Sequence, residues 1–354
     1  MDKIEDDEVD LIITSPPYPM IEMWDDLFSS INSNIRNALE LKDDKKAYSL
    51  MHQELDKVWK ECARVVNPGG IICINIGDAT RKLDKTFQLY PNHARIIDFF
   101  QNHNFISLPC ILWRKPTNSP TKFLGSGMIP PNAYVTLEHE YILIFRKSEK
   151  KRKFPSKYGK RYNSAFFWEE RNKWFSDVWM DIRGISQYIY NQKNSNNLRE
   201  RSAAFPLELP FRLINMFSLY GDTILDPFWG TGTTTLAGMI TARNTVGYEL
   251  NSHFREVFEK TFKKIEKVTN SMILRRIEEH VKFIKKYIKK GKKPKYRSNN
   301  YNFPVITKQE KDISFYKIKE IKKENNTYNL RYSEFDFESD LPREKKMIQS
   351  RLLT

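Results

Sequence analysis

The segment Thr223–Thr234, TILDPFWGTGTT, joins an apolar strand pattern to the start of a helix through a turn that contains two glycines. Open α/β sheets bind nucleotides at such turns, because Gly230 and Gly232 let the backbone approach a ligand closely. The next predicted strand ends at Glu249, about 20 residues further on, where a carboxylate can accept hydrogen bonds from ribose hydroxyls. The segment therefore predicts a site for an adenosine-containing cofactor.

Details of the glycine turn narrow the choice of cofactor. No lysine follows Gly232, which disfavours a phosphate loop, and the third glycine of a dinucleotide fingerprint is missing. S-adenosyl-L-methionine has no pyrophosphate and suits the turn better. A structural turn without a ligand is the alternative. The candidate cofactor-binding residues are Asp226, Pro227, Phe228, Gly230, Gly232, Thr233 and Glu249.

A second motif, Thr14–Tyr18 (TSPPY), follows the β-branched strand pattern Val9–Thr14. Pro16 and Pro17 hold the loop extended and remove two backbone donors. The Ser15 hydroxyl and the Pro16 carbonyl are then suited to accept hydrogen bonds from an amino group, and Tyr18 offers a flat face to a planar ring. The motif predicts a site for a base with an exocyclic amine, with a purely structural turn as the alternative. We expect both motifs at one edge of the sheet.

Strand and helix patterns alternate along the chain, which predicts an α/β fold with helices on both faces of a sheet. A helix is expected to end at Asn67–Gly70 (NPGG), before a strand at Ile71–Ile76. We divide the chain into a catalytic half at 1–147, a basic and aromatic insert at 148–201, a cofactor-binding half at 202–266 and a basic C-terminal region at 267–354.

The charge balance favours a polyanionic partner. The 354 residues include 59 Lys and Arg against 44 Asp and Glu, a formal net charge of +15, so nucleic acid leads the candidates. The candidate DNA-contacting residues are Lys151, Arg152, Lys285, Lys286 and Lys289. A solvated helix face is the alternative for the three C-terminal lysines, and the sequence leaves open whether the insert, with its aromatic side chains, or the C-terminal region reads the bases.

Three cysteines without metal-ligand spacing and six scattered histidines exclude a disulfide framework and predict no metal site. The chain lacks a signal peptide and any run of about 18 apolar residues, so we expect a soluble cytoplasmic protein, associated with the nucleoid, and no membrane partner.

With both motifs in view, the chain resembles the amino-methyltransferases of DNA. The order, Ser15-Pro-Pro-Tyr18 first and Phe228-Trp-Gly-Thr-Gly232 later, is similar to the permuted arrangement of their beta class, over residues 9 to 262. The segments 15–26 and 125–147 most resemble cytosine-N4 enzymes of the BamHI-type modification group. The resemblance implies a Rossmann-like methyltransferase fold with permuted motif order that uses S-adenosyl-L-methionine, and a methionine-binding role for the helix that begins at Phe205.

The resemblance also implies the reaction. We expect sequence-specific methylation of cytosine N4 in double-stranded DNA by base flipping, with Ser15, Pro16, Pro17 and Tyr18 as catalytic residues and a cognate restriction endonuclease as functional partner. Adenine N6 is the alternative target. A DNA-binding protein with impaired cofactor binding is a further alternative, because only eight residues precede the first strand where relatives usually carry an additional acidic segment. The recognition sequence and the oligomeric state stay open.

Overall fold

The computed structural model describes residues 1–115, 124–184, 187–188, 201–202 and 205–340; parts of the predicted insert and C-terminal region lie outside these ranges. The strands are β1 Val9–Thr14, β2 Val66–Ile76, β3 Ala79–Lys82, β4 Phe87–Tyr90, β5 Phe105–Arg114, β6 Leu124–Gly125, β7 Ala133–Tyr134, β8 His139–Lys147, β9 Val178–Trp179, β10 Gln187–Tyr188, β11 Arg201–Ser202, β12 Thr223–Asp226, β13 Asn244–Gly247, β14 Tyr296–Arg297, β15 Pro304–Val305, β16 Tyr316–Glu324 and β17 Thr327–Glu334. The α-helices are α1 Asp25–Ile31, α2 Ser33–Glu40, α3 Asp44–Val65, α4 Asn92–Gln101, α5 Gly159–Asn163, α6 Trp168–Trp174, α7 Glu208–Phe217, α8 Thr233–Ile240, α9 His253–Phe262, α10 Ile265–Lys289 and α11 Phe337–Asp340.

Seven strands form the central sheet in the order β13-β12-β1-β2-β8-β5-β9. The first four are parallel to one another, and β8 is inserted antiparallel between β2 and β5. The carboxyl ends of β1, β2, β12 and β13 therefore meet at one edge, and β8 begins at that same edge. The expected α/β fold is confirmed.

Two apolar layers cover the faces of the sheet. Leu11 and Ile13 of β1 point into a cluster shared with α7, α8 and the start of α10, whereas Ile12 points into a cluster shared with α3 and α4. This alternation follows from the two-residue period of a strand, and it leaves β1 buried on both faces, as parallel strands between helical layers are.

The strand after α3 starts earlier than expected. Val66 already pairs with Val9, so the NPGG sequence lies inside β2, and the register shifts between Val9 and Leu11 to accommodate it. Gly69 has a φ of +83° and lies so close to the backbone of the segment after β8 that a Cβ would be 2.7 Å from the amide nitrogen of Arg152. The strand was expected to begin at Ile71, after these four residues, but it begins at Val66, because glycine allows this close approach within the strand.

The insert and the C-terminal region fold together. Phe167 from the insert packs with Ile273 and Ile277 of α10 and with Phe303 and Phe315 from the C-terminal region in a third apolar cluster. Two buried residues link the same parts by an ion pair, since the Arg276 guanidinium donates to both carboxylate oxygens of Glu170 at 2.6 and 2.8 Å. Two stretches that the sequence separates thus share one core.

Three aromatic side chains of the insert are buried. Phe167, Trp174 and Trp179 have at most 4% of their surface exposed, and Trp179 belongs to β9, the edge strand that pairs with β5. Those three residues therefore stabilise the fold, and the role of the insert in DNA recognition stays a prediction. Helix α10 runs from Ile265 to Lys289, and Ile288 at its end is exposed.

Candidate active site at the carboxyl edge of the sheet

The two sequence motifs lie side by side. The strands that precede them, β1 and β12, are parallel neighbours, with Leu11 opposite Ile224 and Ile12 opposite Leu225. At their ends the Thr14 hydroxyl donates a hydrogen bond of 2.6 Å to Oδ1 of Asp226. The expectation that the proline and glycine motifs share one edge of the sheet is confirmed.

The proline loop, defined as Ser15–Tyr18, is held by a chain of side-chain hydrogen bonds. The Tyr18 hydroxyl donates to Oε2 of Glu140 at 3.0 Å and accepts from the Asn75 amide at 2.8 Å. Its oxygen also lies 3.1 Å from Oγ of Ser15. Because Tyr18 has one proton and gives it to Glu140, Ser15 must donate to Tyr18, which leaves the lone pairs of Ser15 available as acceptors.

The carboxylate at the end of this chain is anchored from two sides. The Asn75 amide donates to Oε2 of Glu140 at 2.6 Å, and the Lys115 ammonium forms an ion pair with Oε1. Burial, and next the nearby Glu140 carboxylate, raise the pKa of Tyr18 well above its ordinary value. The phenol therefore keeps its proton and remains a hydrogen-bond donor at neutral pH.

Close packing and hydrogen bonds hold the backbone around the proline loop in place. A Cβ on Gly77 would lie 2.9 Å from Cε2 of Tyr18, so only glycine lets the ring pack this closely. The Asn92 amide donates to the carbonyls of Pro19 and Gly77 at 3.1 and 3.0 Å, and His52 contacts Oδ1 of Asn92 at 3.0 Å. Burial lowers the pKa of His52 to about 3, so the ring is neutral and serves a structural role.

Two of the predicted catalytic residues are prolines, which offer a substrate only backbone carbonyl groups. Pro16 is buried and Pro17 is half-buried directly after β1. Within the described part of the chain, the Pro16 carbonyl accepts no hydrogen bond, as the interpretation of this group as an open acceptor requires.

The glycine loop, defined as Asp226–Gly232, is shaped by steric fit. Gly230 and Gly232 have φ angles of +52° and +74°. A Cβ on Gly232 would lie 2.5 Å from the Phe258 ring and 2.7 Å from the Trp229 ring, whereas a Cβ on Gly230 would have nothing nearer than the Phe228 carbonyl oxygen at 3.9 Å. Gly232 is therefore needed for packing, and Gly230 borders open space beside the loop.

Trp229 is the side chain around which this loop folds. Its indole Nε1 donates to the Thr235 hydroxyl at 2.7 Å, and its ring lies 4.9 Å from that of Phe258. On the other side, a Cβ on Gly247 would lie 2.0 Å from the indole ring. The end of β13 thus also requires glycine, a requirement that the sequence does not reveal.

Asp226 is a buried carboxylate at the junction of the two motifs. Burial raises its pKa to about 6, while the hydrogen bond from Thr14 and, less strongly, that from the Phe228 amide oppose the shift. Both donors bind Oδ1, and Pro227 beside it is buried as well. Asp226 therefore titrates around pH 6, and its hydrogen bond with Thr14 joins β12 to β1.

Glu249 is exposed and joins β13 to the glycine loop. Its two carboxylate oxygens accept 2.8 Å hydrogen bonds from the amides of Gly230 and Asn251. A carboxylate has about four lone-pair sites, so Glu249 retains capacity to accept from a ribose. The open space beside Gly230 and this carboxylate fit the adenosine part of S-adenosyl-L-methionine.

The other candidate cofactor residues flank the loop. Thr233 opens α8, and its hydroxyl lies 3.3 Å from that of Thr231. Phe228 is half-buried against Trp59, with ring centroids 5.7 Å apart. Phe205 is buried in the apolar cluster that includes Leu11 and Ile13, just before α7. The roles of all three toward a cofactor stay predictions.

The acidic segment before β1 packs beside the cofactor side of the site. The Arg64 guanidinium donates to the carbonyls of Met1 and Ile4 at 3.2 and 3.0 Å. Burial, and then the charge of Asp2, raise the pKa of Tyr248, the residue before Glu249. An acidic group therefore lies close to the end of β13.

The candidate DNA-contacting residues have different surroundings. Lys151 is exposed, but the Arg152 guanidinium donates to both oxygens of Asp222 at 2.6 and 3.1 Å and contacts Asp10 at 3.1 Å, which gives it a structural ion pair. The three lysines on α10 are all exposed to solvent: Lys285, Lys286 and Lys289.

Sequence analysis did not identify Asn75, Gly77, Lys115 or Glu140 as site residues. Asn75 is a buried polar residue within the apolar strand β2, and Glu140 lies at the start of β8. A polar residue in an otherwise apolar strand was the signal by which the sequence could have revealed Asn75 and Glu140. Their significance depends on β8 running antiparallel to β2, which the sequence pattern does not show.

No group of three or more His, Cys, Asp or Glu side chains among the described residues is arranged to hold a metal ion. Among the helices of the described ranges, none combines the length and apolar character needed to cross a bilayer.

Comparison with known proteins agrees with this geometry. A family profile described as DNA methylase matches residues 9–260. The type II methyltransferase M.MthZI of Methanothermobacter thermautotrophicus is 52% identical over 338 residues, which are 94% of this chain and 92% of the relative. M.MjaI of Methanocaldococcus jannaschii, also a type II methyltransferase, is 50% identical over 271 residues, 73% of this chain and 87% of the relative.

A solved structure is also similar. TTHA0409 of Thermus thermophilus, described as a candidate DNA modification methylase, was crystallised with S-adenosyl-L-methionine. It matches with a TM-score of 0.57 and 29% identity over 75% of this chain and 89% of its own. The fold is thus the Rossmann-like fold of methyltransferases that use S-adenosyl-L-methionine.

Proposed function

This chain belongs to the N6/N4 DNA methylase family, and we propose that it methylates cytosine N4 in double-stranded DNA. It is a DNA methyltransferase, and its cofactor is S-adenosyl-L-methionine. The observation that carries the proposal is the Thr14–Asp226 hydrogen bond of 2.6 Å, because it joins the loop suited to an amine to the loop suited to the cofactor. Ser at position 15, commoner than Asp or Asn among the cytosine-N4 enzymes that the chain resembles, favours cytosine.

The proline loop is suited to activate an exocyclic amine. The lone pair of cytosine N4 is delocalised into the ring, so accepting hydrogen bonds from its two protons increases electron density on the nitrogen. Ser15 Oγ and the Pro16 carbonyl are the acceptors. Since Ser15 donates to Tyr18 and Tyr18 donates to Glu140, the carboxylate polarises this chain and strengthens Ser15 as an acceptor.

The sulfonium of S-adenosyl-L-methionine supplies the methyl group. The chain's own contribution is to hold the amine in line with it, and positioning of this kind contributes up to roughly 7–11 kcal/mol in well-oriented reactions. The target base must leave the duplex to reach Ser15, at a cost of about a few kcal/mol. The ring of Tyr18, which is half-buried, is the group that we propose to stack on the base.

The base assignment is tested by digesting DNA methylated by the purified protein to nucleosides and measuring their masses. We expect N4-methylcytosine. N6-methyladenine as the product would contradict the assignment to cytosine and favour the alternative target.

We also propose that the protein acts in a type II restriction-modification system, together with a restriction endonuclease that cuts the same sequence. The similarity to two type II methyltransferases over most of the chain supports this role. Plasmid DNA from cells that express the protein should resist one endonuclease of matching specificity. The role would be contradicted if fully methylated plasmid were cut by every endonuclease that recognises the methylated site.

We place part of the DNA path along α10, whose exposed lysines can neutralise phosphates. Replacing Lys285, Lys286 and Lys289 by Glu should reduce the slope of log affinity against log salt by roughly 2–3. The control is Lys45→Glu with Lys46→Glu, two exposed lysines on α3. An equal change in slope for both variants would move the DNA path away from α10.

A further inference from the structure

Exposed apolar side chains are concentrated on one hairpin that precedes β8. In the segment 128–135, Met128, Ile129 and Val135 have 85%, 70% and 85% of their surface exposed, and Tyr134 is exposed on one side. Contact of this much apolar surface with water is unfavourable in free energy. A patch of this kind therefore indicates a contact with another molecule.

The hairpin has a defined shape. Leu124 and Gly125 pair with Tyr134 and Ala133, and the Ser126 amide donates to the Asn132 carbonyl at 2.9 Å. Met128 and Ile129 lie at the tip between these pairs. Gly125 has a φ of +70°, and a Cβ there would lie 2.0 Å from the Asn132 carbonyl oxygen, so the turn is tightly closed. The tip is therefore presented on a fixed base.

Two connections join the hairpin to residues that surround the active site. The segment that leads out of it returns to β8 through Glu138, whose carbonyl accepts a 2.7 Å bond from the Lys115 amide, and then reaches Glu140, the partner of Tyr18. On its other side, the Tyr134 ring stacks on Phe87 of β4, with centroids 5.1 Å apart and planes 12° apart. The β3–β4 ribbon in turn follows Gly77, on which Tyr18 packs.

The surroundings of the hairpin suit a polyanion. Lys82 and Lys85 of the β3–β4 ribbon are exposed, and the Arg81 guanidinium pairs with Asp25, which begins α1 just after the proline loop. An apolar tip with lysines nearby combines the two features with which proteins enter duplex DNA: phosphate contacts and an apolar wedge between base steps.

We propose that Met128 and Ile129 form a wedge that enters the DNA base stack and fills the space left by the target base as that base moves into the proline loop. The inference rests on the proposed extrusion of the base and does not depend on whether cytosine or adenine accepts the methyl group. The occupant of this apolar surface is thus duplex DNA at the methylated site.

The test compares two duplexes that carry the methylated site mapped in DNA from expressing cells. In one the target base is paired; in the other it faces an abasic site, so that no base pair has to be broken. The variant Met128→Ser with Ile129→Ser should lose about tenfold or more in kcat/KM on the paired duplex and less than about threefold on the unpaired one.

Two controls accompany the double serine variant. Met128→Leu with Ile129→Leu keeps apolar bulk and should retain wild-type activity on both duplexes. Leu41→Ser, at a residue 79% exposed after α2, changes a comparable surface side chain outside the hairpin and should leave both rates unchanged.

Equal losses on the paired and unpaired duplexes, or no loss on either, would overturn the wedge. A change of oligomeric state in the double serine variant without any dependence on pairing would also overturn it, since the tip would then contact protein. Product analysis by mass decides the target base separately, so failure of the cytosine assignment is distinguishable from failure of the wedge.

Discussion

The two loops of the active site follow neighbouring parallel strands, yet they are held in place by different forces. The proline loop depends on a hydrogen-bond chain from Ser15 through Tyr18 to Glu140, with side chains contributed by β2 and β8. The glycine loop depends on close packing, because Gly232 leaves no room for a Cβ beside the Trp229 ring.

This difference predicts how each loop responds to substitution. Removing a hydrogen-bonding group from the proline loop leaves its backbone path intact, so the chemical step should suffer more than stability. Adding a methyl group at Gly232 forces the backbone and the indole apart, so stability and cofactor affinity should suffer together.

The largest effect is expected for Gly232→Ala. A left-handed alanine costs about 1–2 kcal/mol, and the contacts with Phe258 and Trp229 add about 1–3 kcal/mol. Gly230→Ala incurs only the cost of the left-handed backbone conformation, since its Cβ would meet open space. Urea unfolding should show a loss of roughly 2–5 kcal/mol for Gly232→Ala and roughly 1–2 kcal/mol for Gly230→Ala. Equal losses would show that steric fit does not shape this loop.

Ser15→Ala should act on catalysis instead. We expect kcat to fall at least about 100-fold while DNA affinity stays within a few-fold, since a hydrogen bond that strengthens in the transition state is lost. Tyr18→Phe is the control, because it removes the hydroxyl partner of Ser15 and keeps the ring. An unchanged kcat in Ser15→Ala, or the same loss in both variants, would contradict a direct role for Ser15.

Asp226→Asn tests the junction of the two loops through pH. The folded-state pKa of about 6 lies above the ordinary value of 3.8, so the stability contribution of Asp226 is present below pH 3.8 and is lost as pH rises through 6. Asparagine cannot ionise and avoids this loss. As pH rises from 4 to 8, the free energy of unfolding of the variant minus that of the wild type should increase by about 1–3 kcal/mol.

Urea unfolding curves at several pH values measure this difference. Asp26→Asn, at an exposed position on α1, is the control and should give a constant difference from the wild type. A constant difference for Asp226→Asn as well would mean that Asp226 is ionised throughout this range.

The smallest effect is expected for Glu140→Gln, which acts through Tyr18 rather than on the substrate. Loss of the charge weakens the polarisation of Ser15, and we expect kcat to fall by about tenfold with the KM for S-adenosyl-L-methionine unchanged. Glu138→Gln, two residues earlier and paired with Arg114, should leave both constants unchanged. A raised cofactor KM in Glu140→Gln would indicate a structural rather than a positioning role.

Both motifs could be identified from the sequence because proline and glycine differ from other residues in the backbone conformations that they allow. Two consecutive prolines after an apolar strand, and two glycines before a helix, are visible without any knowledge of the fold. The strands Val9–Thr14 and Thr223–Asp226 were located for the same reason, since short buried strands appear as continuous apolar runs.

The remaining partners of the site were not visible in this way. Asn75 and Glu140 are 65 residues apart and meet only because β8 is inserted antiparallel next to β2. Composition also did not show that Phe167 and Trp179 of the insert are buried, because distant segments of the chain cover them.

By itself, then, the sequence determined the α/β class, the two loops and the type of cofactor, since these depend on short-range patterns of apolar, proline and glycine residues. Tertiary structure alone decided that Glu140 is linked to Ser15 through Tyr18, that Gly247 lies against an indole ring and that the insert and the C-terminal region share one core. The physical reason is that these features depend on contacts between side chains far apart in the chain, which strand order and close packing create.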